Sequence, residues 1–443
     1  MRRGTDVHRI CLTLPTNREC SATITAVAAE ADHAARHFDV EVHLLILDSS
    51  DEATLAAHAR TVAALPGAPH VVVHHLDESA QRDFLRAAIA RAALPDPERV
   101  LGLMLPDAVS YGACTNRAFL IAAALGCRSV HRRDSDSRYQ LFDGEPVYPV
   151  HHELTSLGRR AADAAAGVSE VVLDPAVAHR PVSMVGASFI GELSVDIGGI
   201  QELDKEVYDE VVGLWAPGHW SDEQRRGLAE ESFKGAGLLP FAGDHATLTV
   251  VDPMRVDMCN IAFLGDVYER LPLPPATATI GSDYFLIHAV HDAALPGVLH
   301  NRHIENYYTG ERRTHAGFLA YQTRFVKFLL SMLYFHFVYD RMAEAGAGLL
   351  DGDGRLDPAP FAAFLAESVG LDRTENERRL DTVEAAYRRL GGRYAEFARA
   401  VAADRQRLLD GAARDTEDFV LLIGAWRALV DASRDAGPRS ALR

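Results

Sequence analysis

Residues Tyr111 to Tyr139 read YGACTNRAFLIAAALGCRSVHRRDSDSRY. Apolar residues at Phe119, Ala122, Ala123 and Leu125, with good helix formers between them and a stop at Gly126, predict a helix of about four turns. A short strand, Cys127–Arg132, follows and runs into Asp134-Ser135-Asp136. In a regular strand two carboxylates one residue apart share a face. If the strand has already ended, a tight turn still brings them together. Such a pair suits a hard cation, which is usually held by one or two carboxylates plus substrate phosphates. An Asp-x-Asp tripeptide is common in surface loops, so its weight depends on what surrounds it.

What surrounds it is an alternating β/α chain. A strand at His8–Leu14 ends in Pro15-Thr16-Asn17-Arg18. A second, Val40–Leu47, ends in Asp48-Ser49-Ser50-Asp51, and a third, His70–Leu76, ends in Asp77-Glu78. An alanine-rich helix follows each. Polar residues therefore gather beyond the carboxyl ends of the strands, where open α/β sheets bind ligands. With Asn116-Arg117 read as opening the long helix, this motif order resembles the nucleotide-sugar half of GT-A-fold glycosyltransferases. The likeness is broadly to the family-2 and mannosylglycerate-synthase-like enzymes and covers roughly residues 8–310. It implies an α/β fold: a Rossmann-type mixed sheet flanked by helices, with a helical C-terminal region added.

The resemblance also implies roles. Thr16, Asn17, Arg18 and Asp48 would contact the nucleoside of a UDP- or GDP-sugar, and Asn116 and Arg117 would lie near its ribose or diphosphate. An arginine can bind a phosphate with two parallel hydrogen bonds. Asp134 and Asp136 would hold Mn²⁺ or Mg²⁺, with a late histidine, His300 or His303, completing the coordination. Glu305 is close enough in sequence to His303 to support it from behind. The run Ile280-Gly281-Ser282-Asp283-Tyr284-Phe285 falls where related enzymes keep an acidic group for the acceptor, which makes Asp283 the candidate general base. Simpler roles compete: Asn17 as a helix cap with Arg18 on the surface, and Ser282 or Asp283 as the cap of a helix at Tyr284–Ala294.

Composition narrows the rest. The chain has 443 residues, 48% of them apolar, enough for a full-size core. A net charge of −17 leaves no basic excess to neutralise nucleic-acid phosphates. Of 45 basic residues only Lys205, Lys234 and Lys327 are lysine, a bias typical of GC-rich genomes such as those of actinomycetes. Five cysteines without a Cys-x-x-Cys pair, and a basic Met1–Gly4 followed by a short strand broken at Pro15, predict a reduced, cytoplasmic protein without a signal peptide. The longest apolar stretch, Phe318–Tyr339, is interrupted by Arg324, Lys327 and His336 and is expected to be a buried scaffold helix with no membrane-spanning role. A catalytic domain is expected at residues 1–314 and a helical region at 315–443.

Several motifs point nowhere. There is no Gly-x-Ser-x-Gly and no phosphate-binding Gly-x-x-x-x-Gly-Lys. His151-His152-Glu153 lacks a zinc-protease frame, and Asp351–Asp357 lacks both key ligands of a calcium loop. Trp215 and Trp220 are candidates for an acceptor pocket. The leading expectation is a metal-dependent transfer of a sugar from a nucleotide diphosphate to a small-molecule acceptor, such as a natural-product intermediate. A sugar-phosphate nucleotidyltransferase would carry glycine after its first strand, which Pro15-Thr16-Asn17-Arg18 lacks. A non-catalytic binding scaffold would not need the acidic pair. Sugar, base, acceptor, oligomeric state and retention or inversion are left open.

Overall fold

A computed structural model of the chain describes residues 8–437 apart from Ser194 and Asp196; Met1–Gly4 lies outside the described residues. The first half is built as alternating strands and helices: β1 (His8–Thr16), α1 (Ser21–His37), β2 (Val40–Asp48), α2 (Glu52–Ala64), β3 (Val71–Leu76), α3 (Glu78–Ala92), α4 (Pro97–Met104), α5 (Tyr111–Leu125) and β4 (Ser129–Arg133). These four strands are parallel and lie in the order β3-β2-β1-β4. β1 pairs Thr16 with Asp48 on one side and Leu12 with His131 on the other. β1 and β2 are buried on both faces because helices cover both, so their sequences run apolar without alternation. β1 continues through Pro15 to Thr16, two residues past the expected end.

Beyond β4 the sheet turns mixed. Asn260–Leu264 lies antiparallel to β4, and Met184–Gly186, Gly297–His300, Ala246–Thr249 and Glu170–Val171 extend it to nine strands. A smaller sheet joins β5 (Ser137–Tyr139) to Ile304–Asn306, and that strand to Phe189–Gly191. The chain passes from the large sheet at Met184–Gly186 to the small one at Phe189–Gly191 within a few residues.

α5 begins at Tyr111, more than a turn before the Asn116-Arg117 pair expected to open it. The Ser110 hydroxyl accepts from the Ala113 amide as N-cap, and Gly126 closes the helix in the left-handed region at φ +71°. Asn116 and Arg117 therefore lie inside the helix and do not open it. Gly112 is required, because a Cβ there would sit 1.9 Å from the Pro274 carbonyl oxygen.

The C-terminal region is four helices, His315–Ala345, Pro358–Ser368, Thr374–Leu390 and Gly392–Ala436. Apolar packing runs from the sheet layer into them without a break: Leu45, Phe119, Phe285, Phe325, Phe361 and Trp426 belong to one core. Phe285 meets Phe419 edge-on with ring centroids 4.8 Å apart, and the buried Trp426 indole donates to the Tyr268 carbonyl at 3.0 Å. Among the described residues no helix is long and apolar enough to cross a membrane.

Candidate functional site

The parallel strands end at one edge, and two cavities open there. The first, of about 190 Å³, lies over the ends of β1 and β2 and is lined by Pro15, Thr16, Asn17, Arg18, Leu47 and Ser49 among others. The second, of about 200 Å³, is walled by aromatic and methionine side chains. Both are lined by Tyr111, Asp134, Asp136 and Arg312, so these four residues mark where the cavities meet.

The junction is an ionic cluster. Asp136 sits just before β5, and its Oδ2 accepts from Arg18 and from Arg312, each at 2.9 Å. Pairing of β5 with Ile304–Asn306 explains why Arg312 is there: the loop leaving that strand must pass Asp136, and the Tyr307 amide donates to the Asp136 carbonyl. Arg312 keeps Nε and Nη1 buried without a hydrogen-bond partner, and its guanidinium lies over the rings of Tyr308 and Tyr321. Arg132 bridges the other carboxylates, donating from Nη1 to Asp283 Oδ2 at 2.6 Å and placing Nη2 3.1 Å from Asp134 Oδ1. Burial pushes the Asp134 carboxyl up to about 6; Arg132 opposes the shift, while Asp136, Asp257 and Asp283 add to it.

The expected residues divide into those that reach this edge and those that do not. Thr16, Asn17, Arg18, Asp134, Asp136 and Asp283 line the cavities. Asn17 caps no helix: α1 starts from Cys20, without a side-chain cap. Asp283 is no cap either. It sits in a short 3₁₀ turn after Gly281, at φ +69°, and makes no capping hydrogen bond. A Cβ on Gly281 would stand 2.9 Å from the Phe328 ring, which explains the glycine.

Asp48 turns inward. Its Oδ1 accepts from the Ser50 amide, and its Oδ2 from His58 at 2.7 Å and His75 at 2.9 Å, while its neighbours Leu47 and Ser49 line the cavity. These three side chains have metal-ligand spacing. The Cys20 amide, however, donates to His58 Nε2 at 3.0 Å, so neutral His58 carries its proton on Nδ1 and has no lone pair there for a cation. Asn116 is fully buried and clamps the Leu273 backbone with both ends of its amide, so it contacts no ligand. Arg117 touches the cavity wall, but Nε is held by Gln81 at 2.7 Å and Nη1 by the Met104 carbonyl at 2.6 Å. Both are helix-interior residues, and these hydrogen bonds already engage the groups that the resemblance assigns to the ribose or diphosphate.

His300 and His303 line neither cavity. His300 stacks on His152 at 5.3 Å and accepts from the Arg302 amide, and His303 Nδ1 accepts from the Ser188 amide. The late segment does reach the acidic pair, but through backbone pairing and Arg312. A divalent cation here would be held by the Asp134 and Asp136 carboxylates, with the remaining positions left to nucleotide oxygens or water. Arg132, Arg312, Tyr111 and Asp257 were missed in the sequence. The only signal was Arg312 falling in the polar run after the last strand.

No curated protein matches the chain in sequence. Among solved structures, the mannosyltransferase PcManGT from Pyrobaculum calidifontis, in complex with GDP-Man and Mn²⁺, aligns over 94% of this chain and 91% of its own at 15% identity and a TM-score of 0.36. A mycobacterial protein aligns over 73% of this chain and 74% of its own at 17% identity and a TM-score of 0.34. Likeness at that level says nothing about what this chain binds. At the level of the sequence the match is nearly end to end, and it places the chain, over residues 8–442, in the family of unknown function DUF6271.

Proposed function

We propose that the protein is a nucleotide-sugar-dependent glycosyltransferase. The observation that carries the reading is the junction of two unlike cavities at Asp134, Asp136 and Arg312. A donor would lie with its nucleoside over Pro15–Arg18, its diphosphate at the junction and its sugar facing the aromatic cavity. The order β3-β2-β1-β4 followed by an antiparallel strand supports it, since the carboxyl ends of β1, β2 and β4 then share one edge.

The roles follow from the geometry. Arg18 and Arg312 face the departing diphosphate, and the two unpartnered nitrogens of Arg312 are free to bind its oxygens as charge builds up. Asp136 holds both arginines in place. Asp134 and Asp136 are the residues that would hold a divalent cation, which when bound supplies Lewis-acid neutralisation of the leaving group. Asp283, with one oxygen held by Arg132, is the group placed to accept the proton of an incoming hydroxyl. The four C-terminal helices act as scaffold, since they share the core of the sheet layer.

A thermal-shift screen of UDP-, GDP-, CDP- and dTDP-sugars, with and without Mn²⁺, tests the reading. A nucleotide that binds only the native state raises its melting temperature. The expected result is stabilisation by one nucleotide class, reduced in Arg312→Ala. No shift with any nucleotide overturns the proposal.

A further inference from the structure

The second cavity specifies the chemistry of what enters it. Much of its wall is apolar and aromatic: Trp215 stacks on Phe233 with centroids 5.2 Å apart and planes 29° apart, and Phe328 leans on Trp215 at 5.6 Å. Met254, Met258 and Met332 complete it. Methionine is flexible and polarisable and adapts to irregular apolar bodies and ring edges. The end at the junction is the reverse. Asp134, Asp136, Asp257, Asp283 and Glu231 line the cavity with one cationic side chain, Arg312, which is paired with Asp136; outside the lining, Arg18 also pairs with Asp136, and Arg132 pairs with Asp134 and Asp283. His288 adds no positive charge: burial pushes it down to about 3, and its ring stacks on Tyr339 at 3.8 Å.

Resting on the glycosyltransferase reading, we infer that the acceptor is an uncharged or cationic amphipathic molecule: a ring-sized apolar body with a hydroxyl or amino group directed at Asp283. A sugar held against the apolar wall, away from the polar junction where the donor's sugar would sit, would have its hydroxyls desolvated without partners. Four carboxylates stand here against three arginines: Arg18 and Arg312 pair with Asp136, Arg132 pairs with Asp134 and Asp283, and Asp257 is held by the Tyr284 hydroxyl instead, so an acceptor carboxylate or phosphate beside Asp257 and Asp283 would meet a net negative excess. The acceptor is therefore neither a free sugar nor a sugar phosphate nor an organic acid.

Calorimetric titration of the full chain with 2-naphthalenemethanol, 2-naphthylmethylamine, 2-naphthoate, glucose and glucose 6-phosphate tests this. The alcohol and the amine should bind at least about tenfold tighter than the naphthoate of the same size, and the two sugars should not bind measurably. Trp215→Ala should weaken the alcohol by about tenfold, the order expected for losing one buried aromatic contact face. Met254 is 44% exposed, so Met254→Asp leaves the core intact and should also weaken the alcohol. Naphthoate binding as tightly as the alcohol, sugars binding in place of the naphthyl probes, silence of both the alcohol and the amine, or indifference to Trp215→Ala and Met254→Asp would each overturn the inference. A parallel titration with UDP and GDP keeps the two questions apart. Failure of nucleotide binding with the naphthyl order intact defeats the donor reading alone, and nucleotide binding with the naphthyl order reversed defeats the acceptor inference alone.

Discussion

Arg132 and Arg133 are neighbours on one strand and lead opposite lives. Successive side chains in a strand point to opposite faces, so Arg132 faces the ligand cavities and Arg133 faces the packing beneath α1. Every donor of Arg133 is used: Nε and Nη2 bind Glu30, Nη1 and Nη2 bind Glu153, and Nη1 also reaches the Arg132 carbonyl. Glu153 is held further by His131 at 2.8 Å, Glu30 by Tyr139 and the Val150 amide. Arg132, Asp134, Asp136 and Arg312 are just as rich in charge, yet Nε of Arg132 and Nε and Nη1 of Arg312 have no hydrogen-bond partner. A saturated buried network fixes structure, whereas one left incomplete beside a cavity keeps donors open to water or to a ligand.

The largest test breaks the saturated side. Glu153→Ala removes one of the two carboxylates around the buried Arg133 and the hydrogen-bond partner of His131 Nδ1, and removing one partner of a buried ion pair costs about 3–5 kcal/mol. Urea denaturation should show a loss of that size; a loss below about 1 kcal/mol would mean the network is worth no more than a surface pair. On the incomplete side the effect should move from stability to binding. Arg312→Ala should weaken the stabilising nucleoside diphosphate by about 10–100-fold, the loss of one to two charge-assisted hydrogen bonds, with little change in unfolding free energy. Calorimetry against the wild type decides it, and an equal loss of stability and affinity would put Arg312 with Arg133.

Protonation sharpens the contrast. The Asp134 carboxyl, raised to about 6, is ionised above that pH and neutral below it. Because its folded value is raised, its ionised form weakens the fold as pH climbs from the ordinary carboxylate range through about 6. A cation must displace its proton below that point. Any Mn²⁺-dependent gain in nucleotide affinity should therefore shrink by up to about tenfold per pH unit below pH 6, and Asp134→Asn should abolish the dependence together with the gain. A gain that persists undiminished at pH 5 would move the cation off Asp134. The smallest effect is expected at Asp48. Its oxygens are held by Ser50, His58 and His75, so Asp48→Asn should alter nucleotide affinity by less than about threefold while lowering the melting temperature. A larger affinity change would return Asp48 to the nucleoside.

Much of this edge was legible in the sequence. The apolar runs at β1 and β2, the stop at Gly126 and the Asp134-Ser135-Asp136 turn are local signals, and local geometry honours them. The helix Asp222–Glu231 rests on the same kind of local signal, the capping box formed by Ser221 and Gln224. Asn116, Arg117 and Asp48 misled because composition shows that a residue is polar but not which way it points. Helix α5 turns Asn116 to Leu273 and Arg117 to Gln81 and Met104, and the two histidines claim Asp48. The late histidines misled for a related reason: pairing of residues 304–306 with β5 was invisible, and that pairing carries Arg312 to Asp136 while leaving His300 and His303 aside.

By itself the sequence determined the alternating β/α order, the strand ends where polar residues collect, the acidic pair and the helical C-terminal region, because each rests on contacts between residues close along the chain. Only the tertiary structure decided which charges are saturated, which late residue meets Asp136, and that an aromatic cavity adjoins the cleft, because those depend on partners more than a hundred residues apart, as Arg18 is from Asp136 and Arg132 from Asp283.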